Sequence, residues 1–478
     1  MTEFTGTFIV VFGIYVLAML GIGWASSRKV ESSEGFFLAD RSFKEWITAI
    51  GSTASSESAW AVMGTAGLAY KEGLSAWWFL PGCLLGYALN WFFIAERLRK
   101  VSHAKNAVTL PDYLESHFGA EARTLRILAV SIIFLCMMAY VAAQLTAIGK
   151  TFDAVFDVSS LWSIPIGGAI IVSYTMMGGF RAVAWTDFIQ GLIMVGALTV
   201  LSLTALYSLG GFSGMAAAVT AENPNALTWM GGKSFSVFLG SVVGLLGIGL
   251  GYPGQPHVLN RFMAAKDTRT IERGVWIALG WGLLMYSSAI LLGICGQALY
   301  PGLEDAEHLF PRAAQDLLPA ALTAVAITGI LAAIMSTVSA QIVVAASSVA
   351  HDLYSKIMKR DLSPEKFIYI SRATILVLGV GSCLIALTET RVIFWFVLFA
   401  WSGLGASFGP LILWTLYSDR VTRQGAIAGM ATGFLVTIAW KATGLSDSVM
   451  YELPPAFALS ALAIWFFSRR PDAQGQTR

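Results

Sequence analysis

The chain has little charge. Asp, Glu, Lys and Arg make up 13% of its 478 residues, against ~25% in soluble globular domains, while 56% are hydrophobic and the mean hydropathy is +0.68. This balance excludes a soluble globular domain and predicts a polytopic membrane protein. The net charge of +2 is also too small to favour nucleic-acid binding.

Cysteine and nucleotide-binding motifs are scarce or missing as well. The four cysteines lie singly in apolar runs, without a CxxC pair, at Cys83, Cys136, Cys295 and Cys383. This pattern excludes a disulfide framework and a cysteine-based metal site, and it favours thiols packed in the core. The sequence has no P-loop and no motif that places a base beside a nucleophile, so neither ATP hydrolysis, an enzyme nor an organic cofactor is expected.

Long apolar stretches are what the chain has instead. A stretch of ~20 residues crosses ~30 Å of hydrocarbon, and thirteen such spans are predicted, numbered here in chain order. They are 6–26, 45–69, 74–94, 124–148, 160–178, 184–207, 235–256, 274–299, 317–350, 368–388, 393–417, 424–440 and 454–468.

The basic residues predict how these spans are oriented, because cytoplasmic loops are rich in Lys and Arg. With the N-terminus outside, 25 of the 31 basic residues fall on the inner side, and six fall outside: Lys71, Lys150, Lys233, Arg312, Arg391 and Lys441. Adding or removing one span would scramble this asymmetry. The sequence therefore predicts a multi-pass protein of the plasma (inner) membrane with a cytoplasmic C-terminus. The longest outer loops, near 208–234 and 300–316, have room only for small helices.

Two predicted spans contain residues that interrupt helices. Span 2 holds the polar run Gly51–Ala59, and span 7 holds the Gly- and Pro-rich run Gly247–Pro256. Unwound backbone at mid-depth exposes amides and carbonyls to a ligand, and breaks five spans apart enter the membrane in opposite directions, as in an inverted repeat. Gly and Pro also serve simple packing or kinks, but the matching positions favour the functional interpretation.

Glu57 places a carboxylate near the middle of span 2. Such a group costs about 2.5 kcal/mol or more to insert, so we expect it to face a polar interior and to have a partner. A structural hydrogen bond to a neighbouring helix, or a position nearer the interface, are the alternatives. Asp187 and His257 lie nearer the ends of their spans, which favours solvated or helix-capping roles for both.

Span 9 carries two adjacent hydroxyls, Ser336 and Thr337, one turn after Ala333. Together with an exposed carbonyl they could supply hard oxygen ligands to a small cation. Helical Ser and Thr also satisfy themselves on the preceding turn. The residues alone leave both interpretations open.

A series of short motifs runs along nearly the whole chain: Phe37–Ser42, Thr109–Tyr113, Gly178–Asp187, Gly249–Tyr252, Gly254–His257, Arg261–Met263, Leu331–Thr337 and Gly403–Pro410. In order and spacing they resemble the sodium:solute symporter family and, within it, the sodium/proline symporter branch. The resemblance implies an all-α membrane protein with a fold similar to the leucine transporter. One transmembrane domain, 1–478, would hold two inverted five-helix repeats, spans 2–6 (about 45–207) and spans 7–11 (about 235–417).

The resemblance also implies sodium-coupled symport of a small zwitterion, with proline or a related amino acid as the expected substrate, by alternating access. Sodium would be bound by the carbonyls of Ala54, Glu57 and Ala333 and the hydroxyls of Ser336 and Thr337. Substrate would lie near Ser56, Ser58, Trp60, Tyr140, Ile248, Tyr252, Gln255 and Pro256. Asp187 resembles the acidic residue that the family uses on the inward ion path.

The chain departs from the proline symporters at two positions. Where they have Asp-Met-Ser-Gly-Trp, this chain has Ser56-Glu57-Ser58-Ala59-Trp60, so the carboxylate has moved by one residue, about 100° around a helix. Glu57 could replace the missing Asp, bind a cationic group of the substrate, or exchange protons. Ile248 stands where they have Trp, so one bulky wall of the pocket is missing.

Other functions stay open at this point. A symporter driven by protons through Glu57, or one that carries a monocarboxylate, a betaine or a different amino acid, fits the same residues. A nutrient sensor that binds without translocating is a further alternative, although no signalling domain follows the last predicted span. The expected partners are the small-molecule substrate and the bilayer, with neither nucleic acid nor an obligate protein partner.

Overall fold

The computed structural model describes residues 2–28, 33–119, 123–358, 363–388 and 393–469. Six basic residues used for the topology prediction lie outside the described residues: Lys29, Lys359, Arg360, Arg391, Arg470 and Arg478. The α-helices are α1 (Thr2–Ser27), α2 (Ser33–Leu38), α3 (Glu45–Ser56), α4 (Thr65–Glu72), α5 (Phe79–Ala88), α6 (Glu96–Ala104), α7 (Leu110–Phe118), α8 (Arg123–Phe156), α9 (Ser160–Ser208), α10 (Gly211–Glu222), α11 (Phe235–Gly247), α12 (Pro256–Met263), α13 (Thr268–Leu299), α14 (Leu309–Leu317), α15 (Ala320–Ser347), α16 (Pro364–Thr388), α17 (Ile393–Tyr417), α18 (Arg423–Ala442), α19 (Leu445–Ser448) and α20 (Leu453–Ser468).

Shorter helical segments of other geometry join several of these helices. Ala39–Arg41, Gly73–Trp78, Ile248–Gly254 and Ala306–His308 are 3₁₀, and Trp60–Gly64, Leu89–Ala95 and Ser348–Ile357 are π-helical. The part of the chain that the structure describes contains no β-strand. The prediction of an all-helical membrane protein is confirmed.

Ten helical segments within the described ranges are long and apolar enough to cross a membrane: Phe4–Ser27, Trp60–Ala104, Arg123–Phe156, Ser160–Ser208, Phe235–Gly254, Thr268–Leu299, Ala320–Ile357, Glu365–Thr388, Ile393–Tyr417 and Arg423–Ala442. Predicted spans 5 and 6 both lie in α9, a helix of 49 residues, and span 13 coincides with the 16-residue α20. The count of thirteen spans and the division into two repeats stay predictions.

Gly179 kinks α9 at the junction of predicted spans 5 and 6. Its φ is +56°, a conformation that L side chains rarely adopt, and a Cβ there would lie 2.7 Å from the carbonyl oxygen of Phe36. Glycine is therefore required both by the backbone and by the close approach of α2.

Several helices begin directly after a polar residue that caps their first turn. The side chains of Thr109, Asp267 and Thr422 accept hydrogen bonds from backbone amides in the first turns of α7, α13 and α18. Such caps satisfy amides that lack an intrahelical acceptor. They fix the helix starts near the predicted ends of the bundle.

The centre of the bundle is formed by α15 and α17. In the most apolar 18-residue stretches of these helices, 83% and 89% of the residues are buried. The corresponding shares are 22% for α1 and 33% for α16, whose faces are open on the outside of the bundle. α15 packs against α9, α1, α8 and α3, and α17 packs against segment 248–254 and α8. This arrangement surrounds the two interrupted spans with protein.

A short backbone pairing joins the start of α3 to the end of α12. The amide of Lys266 donates to the carbonyl of Phe43 at 2.9 Å, next to a parallel bridge between Phe43 and Ala265. The two interrupted spans are thus tied together at their predicted inner ends.

The predicted outer loops hold small helices, as expected: α10 has 12 residues, and α14 has nine. Cys83, Cys136 and Cys295 are buried free thiols, which confirms their predicted packing, whereas Cys383 is partly exposed.

Candidate functional site

The first interrupted span unwinds at Glu57 and Ser58, as the polar run predicts. α3 ends at Ser56, Glu57 has extended backbone angles (φ −99°, ψ 100°), and the helix resumes at Trp60. Two side chains satisfy backbone groups freed by the break. Gln144 Oε1 accepts from the Ala59 amide at 3.1 Å, and Trp60 Nε1 donates to the Ser56 carbonyl at 3.0 Å.

The second interrupted span changes from α11 to the tighter segment 248–254, passes through extended Gln255 and resumes as α12. Gln255 Nε2 donates to the Gly251 carbonyl at 3.2 Å and to the Trp401 carbonyl at 3.0 Å. Trp401 Nε1 donates to the Ile248 carbonyl at 3.1 Å. A Cβ on Gly251 would lie 1.8 Å from Trp401 Nε1, so only glycine fits beneath this indole.

Glu57 and aromatic side chains connect the two breaks. The Tyr252 hydroxyl donates to Glu57 Oε1 at 2.6 Å, and the Tyr252 ring meets the Trp401 ring edge-on with centroids 4.7 Å apart. The Trp60 ring centroid lies 6.0 Å from that of Trp401. Of the predicted substrate residues, the structure therefore brings Trp60 and Tyr252 together, with Ile248 and Gln255 attached through Trp401.

Three other predicted substrate residues lie around the first break. Ser56 Oγ donates to the Thr53 carbonyl at 2.9 Å and lies 3.2 Å from Glu57 Oε1. Ser58 and Tyr140 are fully buried, and neither hydroxyl has a hydrogen-bond partner among the described residues. Their hydroxyls are available to a ligand in a way that the Ser56 hydroxyl is not.

Pro256 lies apart from this group. It is the first residue of α12 and lines a small cavity together with Thr109, Ile133, Asn260 and Ser347. The cavity lies between α7, α8, α12 and α15, towards the predicted inner end of the bundle.

Four of the five residues predicted to bind sodium, Ala54, Ala333, Ser336 and Thr337, lie together between α3 and α15. Ser336 Oγ lies 2.9 Å from the Ala54 carbonyl oxygen and 3.0 Å from that of Ala333, and Thr337 Oγ1 lies 3.2 Å from the Ala333 oxygen. Both hydroxyls donate to the Ala333 carbonyl of the preceding turn, and the Ser336 hydroxyl also contacts the Ala54 carbonyl on α3. The side chain of Glu57 belongs to a different contact network. The oxygen-only composition of the group fits an alkali cation.

Asp187 forms a buried ion pair, and the expectation of a solvated or capping role for it is wrong. Its side chain and that of Arg261 are both 0% exposed, and Arg261 Nη2 donates to Asp187 Oδ2. The guanidinium lies 4.7 Å from the centre of the Phe180 ring. A Cβ on Gly51 would lie 3.0 Å from Arg261 Nη1, which places the pair against α3, one turn before Ala54.

His257 is also fully buried, so the expectation that it is solvated is wrong too. Neither ring nitrogen has a hydrogen-bond partner among the described residues, and the ring centroid lies 6.4 Å from that of Tyr140. Position near the end of a predicted span did not reveal that neighbouring helices cover this residue.

Four residues of the site were not predicted from the sequence. Two of them, Gln144 and Trp401, bond backbone groups at the breaks. The other two are Tyr87, whose hydroxyl donates to Glu57 Oε1 at 2.8 Å, and Tyr286, whose hydroxyl lies 2.8 Å from that of Tyr252. Gln144 is a polar residue in the apolar run of α8, and this signal could have marked it. The aromatic residues carry no such signal, because tyrosine and tryptophan inside apolar helices are usually packing residues.

A second group of charges lies at the predicted inner end, where α7, α8 and segment 348–357 meet. Arg126 pairs with Asp112 at 2.9 Å and also contacts Glu115 and Asp352. Burial raises the pKa of the Asp112 carboxyl, but the His351 imidazole, the Val108 amide and the Arg126 guanidinium outweigh it, so that this pKa lies well below its ordinary value. Asp112, His351 and Asp352 are close enough to hold a metal ion, but the arginine already occupies both carboxylates.

At the predicted outer end, Glu307 joins α8 to α17. Its carboxylate accepts from Lys150 Nζ at 2.6 Å and from the amides of Ile393 and Phe394, at 3.2 and 3.0 Å, in the first turn of α17. A negative charge at a helix N-terminus is favourable. The Phe394 ring in turn packs 6.1 Å from the Trp60 ring, so this contact covers the breaks from the outer side.

Comparison with known proteins agrees with this architecture. The model of the sodium:solute symporter family matches residues 36–433. The high-affinity proline transporter PutP of Bacillus subtilis (strain 168) is 35% identical over 467 residues, which cover 96% of this chain and 97% of that protein. The sodium/proline symporter of Escherichia coli (strain K12) is 33% identical over 482 residues, which cover 98% of this chain and 95% of that protein.

Two solved structures show the same fold. A Na⁺-coupled sialic acid symporter in its substrate-bound outward-open state has a TM-score of 0.79 at 20% identity, over 97% of both chains. The nucleobase-cation-symport-1 family transporter Mhp1 in a closed conformation has a TM-score of 0.51 at 14% identity, over 91% of this chain and 94% of that one. The fold class predicted from the sequence is confirmed, and so is the expectation of a transporter rather than an enzyme. With its family model matched over residues 36–433 and relatives aligned along almost its whole length, the chain belongs to the sodium:solute symporter family.

Proposed function

We propose that this transporter imports a small zwitterion, proline or a related amino acid, together with sodium by alternating access, with its N-terminus outside and its C-terminus in the cytoplasm. The family and the two relatives named for proline transport support this proposal. The single observation that carries it is the contact of Ser336 Oγ with the Ala54 carbonyl, 2.9 Å across the interface between α15 and α3.

That contact lies where an ion can influence substrate binding. Ala54 is three residues before Glu57, at the end of the helix that unwinds. Neutral oxygens from Ala54, Glu57, Ala333, Ser336 and Thr337 would replace the water that a monovalent cation loses, and they need no full charge to do so. An ion held by both helices would draw α15 towards the break and order the backbone on which substrate rests.

Substrate would bind between the breaks, where Ser58, Trp60, Tyr140 and Tyr252 lie. Ion and substrate shift the transporter between outward and inward states only to the extent that each binds one state more tightly. A shared helix end provides such a link, since both ligands contact the same unwound segment. The membrane potential contributes ~2.3 kcal/mol for each charge moved through 100 mV.

Inward release of sodium would pass Asp187. Its ion pair with Arg261 lies against α3 one turn from Ala54, and Asp187 Oδ1 has no hydrogen-bond partner among the described residues. This oxygen could accept a cation that leaves the site, while Arg261 keeps the net charge of the pair at zero between ions.

Uptake of radiolabelled proline into proteoliposomes, with and without an inward sodium gradient, tests the proposal. Thr337→Ala removes one hydroxyl ligand, and we expect it to raise the sodium concentration for half-maximal uptake on the order of 10-fold, the effect of losing about one hydrogen-bond-sized interaction. Thr328→Ala is the matched control, because Thr328 is a buried threonine of α15 whose hydroxyl donates to Ala324 at 2.8 Å, away from the site.

The outcomes separate the alternatives. Uptake that needs sodium, and loses sodium affinity in Thr337→Ala but not in Thr328→Ala, supports the ion site and the substrate together. Uptake driven by a proton gradient without sodium contradicts sodium coupling. Failure of proline to enter under any gradient contradicts the substrate assignment, and binding without any flux indicates a sensor.

A further inference from the structure

The carboxylate of Glu57 is held by a ring of tyrosines drawn from three helical regions. Its Oε1 accepts from the hydroxyls of Tyr252 at 2.6 Å and Tyr87 at 2.8 Å. The Tyr286 hydroxyl lies 2.8 Å from that of Tyr252 and 3.4 Å from that of Tyr87. All four side chains are buried. The ring fixes one oxygen of the carboxylate and leaves the other free to point elsewhere.

That other oxygen, Oε2, is buried and has no hydrogen-bond donor among the described residues. No basic side chain in the described part of the chain forms an ion pair with Glu57, whose polar neighbours are hydroxyl groups. This distinguishes it from Asp187, which has Arg261. A buried carboxylate without a charged partner is costly, and a cation that reaches Oε2 would offset this cost.

The groups beside Glu57 have the opposite character. Ser58 Oγ, Tyr140 OH and Gln144 Nε2 are buried, lack hydrogen-bond partners among the described residues, and can all donate hydrogen bonds. Gln144 is oriented by the Ala59 amide, which occupies its Oε1 and leaves its NH₂ group free. The Tyr140 and Ser58 hydroxyls lie close to each other and near the charge of Glu57, without a hydrogen bond of good geometry between them. The unwound segment and the side chains of α8 that face it thus place a negative acceptor next to several donors.

This juxtaposition matches a molecule with a cationic nitrogen next to a carboxylate. We propose that Glu57 is the charge partner of the substrate nitrogen, and that the substrate must carry a cationic nitrogen with at least one N–H, donated to Oε2. Tyr87, Tyr252 and Tyr286 act as positioning residues that hold Oε1. The inference rests on the proposed function, because it assigns the chemistry of the substrate that this site carries.

The geometry favours the substrate nitrogen over sodium as the partner of the carboxylate. The sodium group consists of neutral oxygens between α3 and α15, whereas the Glu57 side chain contacts Tyr87 on α5 and Tyr252 on segment 248–254, with Tyr286 of α13 bonded to Tyr252. The two groups flank the same break on different helices. Each ligand can therefore have its own set of contacts.

Equilibrium competition against radiolabelled L-proline, on purified protein at saturating sodium, tests the charge partner. The competitors are L-proline, tetrahydrofuran-2-carboxylate, in which oxygen replaces the nitrogen, and N,N-dimethylproline, whose nitrogen is cationic but has no N–H. We expect the wild type to prefer proline over both, by on the order of 30-fold or more for the oxygen analogue, which keeps the carboxylate but has no cationic group. In Glu57→Gln we expect the preference over that analogue to collapse to within about threefold.

Two further variants show that the effect is specific. Glu452→Gln is the matched control, because Glu452 is a buried carboxylate bonded to Ser402 and Ser446, and it should keep the wild-type preference. Tyr87→Phe keeps the ring but removes one hydrogen bond to Oε1, so it should lower the preference by several-fold, a change that loss of packing alone would not cause. Tyr87→Phe also keeps the test decisive if Glu57→Gln fails to fold.

An unchanged preference in Glu57→Gln or, where that variant does not fold, in Tyr87→Phe would overturn the inference, even if the sodium or pH dependence of binding shifted. The proposed function can fail separately. If the wild type does not bind proline but binds another amine in sodium, the proline assignment is wrong, and the same comparison is made with that amine and its oxygen analogue. If the wild type binds no amine at all, both proposals are overturned.

Discussion

The helix breaks after α3 and after α11 both leave backbone polar groups without an intrahelical partner. Different residues satisfy these groups at the two breaks. At the first break, side chains from elsewhere or from the next turn satisfy the freed groups: Gln144 accepts from Ala59, and Trp60 donates to Ser56. Some polar groups at this break have no hydrogen-bond partner among the described residues, notably Glu57 Oε2 and the Ser58 hydroxyl. The first break therefore presents buried donors and acceptors that the described residues do not satisfy.

The second break combines side-chain donors to its freed carbonyls with close packing. Segment 248–254 forms a tight helix of Gly, Pro and apolar residues, and Asn90 donates to the Tyr252 carbonyl at 3.0 Å while Trp401 covers Gly251. It contributes ring surface and a tyrosine hydroxyl rather than spare donors. Under the proposed function, the first break would carry the chemistry of ligand binding, and the second would shape the wall against which ligands bind.

The largest effect should come from the ion pair that lies against both interrupted spans. Arg261 is on α12 and contacts α3 at Gly51, while Asp187 reaches it from α9. Arg261→Met leaves a buried carboxylate without its cation, so we expect a loss of stability of about 3–5 kcal/mol, measured as a lower melting temperature of the purified protein in detergent.

Two variants check that buried charge is the cause. The double variant Asp187→Asn with Arg261→Met should recover much of the loss, because no uncompensated charge is left. Arg273→Met should change stability by about 1 kcal/mol or less, since Arg273 is exposed and lies 3.8 Å from Glu45 in a surface pair. Equal losses in Arg261→Met and in the double variant would show that the pair matters only through its shape.

A steric change should distinguish the second break from the first. Gly251→Ala places a methyl group 1.8 Å from the indole nitrogen of Trp401, so the segment or the ring must shift. We expect a loss of about 3 kcal/mol, the upper range for overpacking, together with reduced uptake. Gly280→Ala on α13 has no neighbour within 4 Å and should leave the melting temperature unchanged or slightly higher. A neutral Gly251→Ala variant would mean that the second break is not tightly packed.

The sequence was sufficient for those parts of the fold that depend on local pattern. Apolar runs gave the membrane class, and the residue types at 51–59 and 247–256 gave both helix interruptions, because polar side chains, glycine and proline change backbone preference where they stand. The adjacent hydroxyls of Ser336 and Thr337 indicated oxygen ligands, but the approach of Ser336 to Ala54, 282 residues earlier in the chain, depends on helix packing.

The errors arose where a tertiary contact decides the environment. Asp187 and His257 seemed close to water because they lie near the ends of spans, but the neighbouring helices bury both and supply Arg261 to Asp187. Tyr87 and Tyr286 could not be told from packing residues, since nothing local shows that their hydroxyls converge on Glu57. The sequence did identify Glu57 itself, because a carboxylate in an apolar run is rare enough to need a reason.

The smallest expected effect tests whether side chains from other helices support the first break. Gln144→Met keeps the size of the side chain but leaves the Ala59 amide without its acceptor. The cost should be about 1 kcal/mol, less than for most orphaned amides, because the substitution also removes a buried NH₂ group that has no partner among the described residues. Gln341→Met is the matched control: both polar atoms of this buried side chain lack partners in the described part of the chain, so the melting temperature should stay the same or rise. If Gln144→Met proved as neutral as Gln341→Met, the side chain of Gln144 would not be needed to hold the first break. If it lowered proline affinity far more than stability, the free amide of Gln144 would be a substrate contact as well as a support.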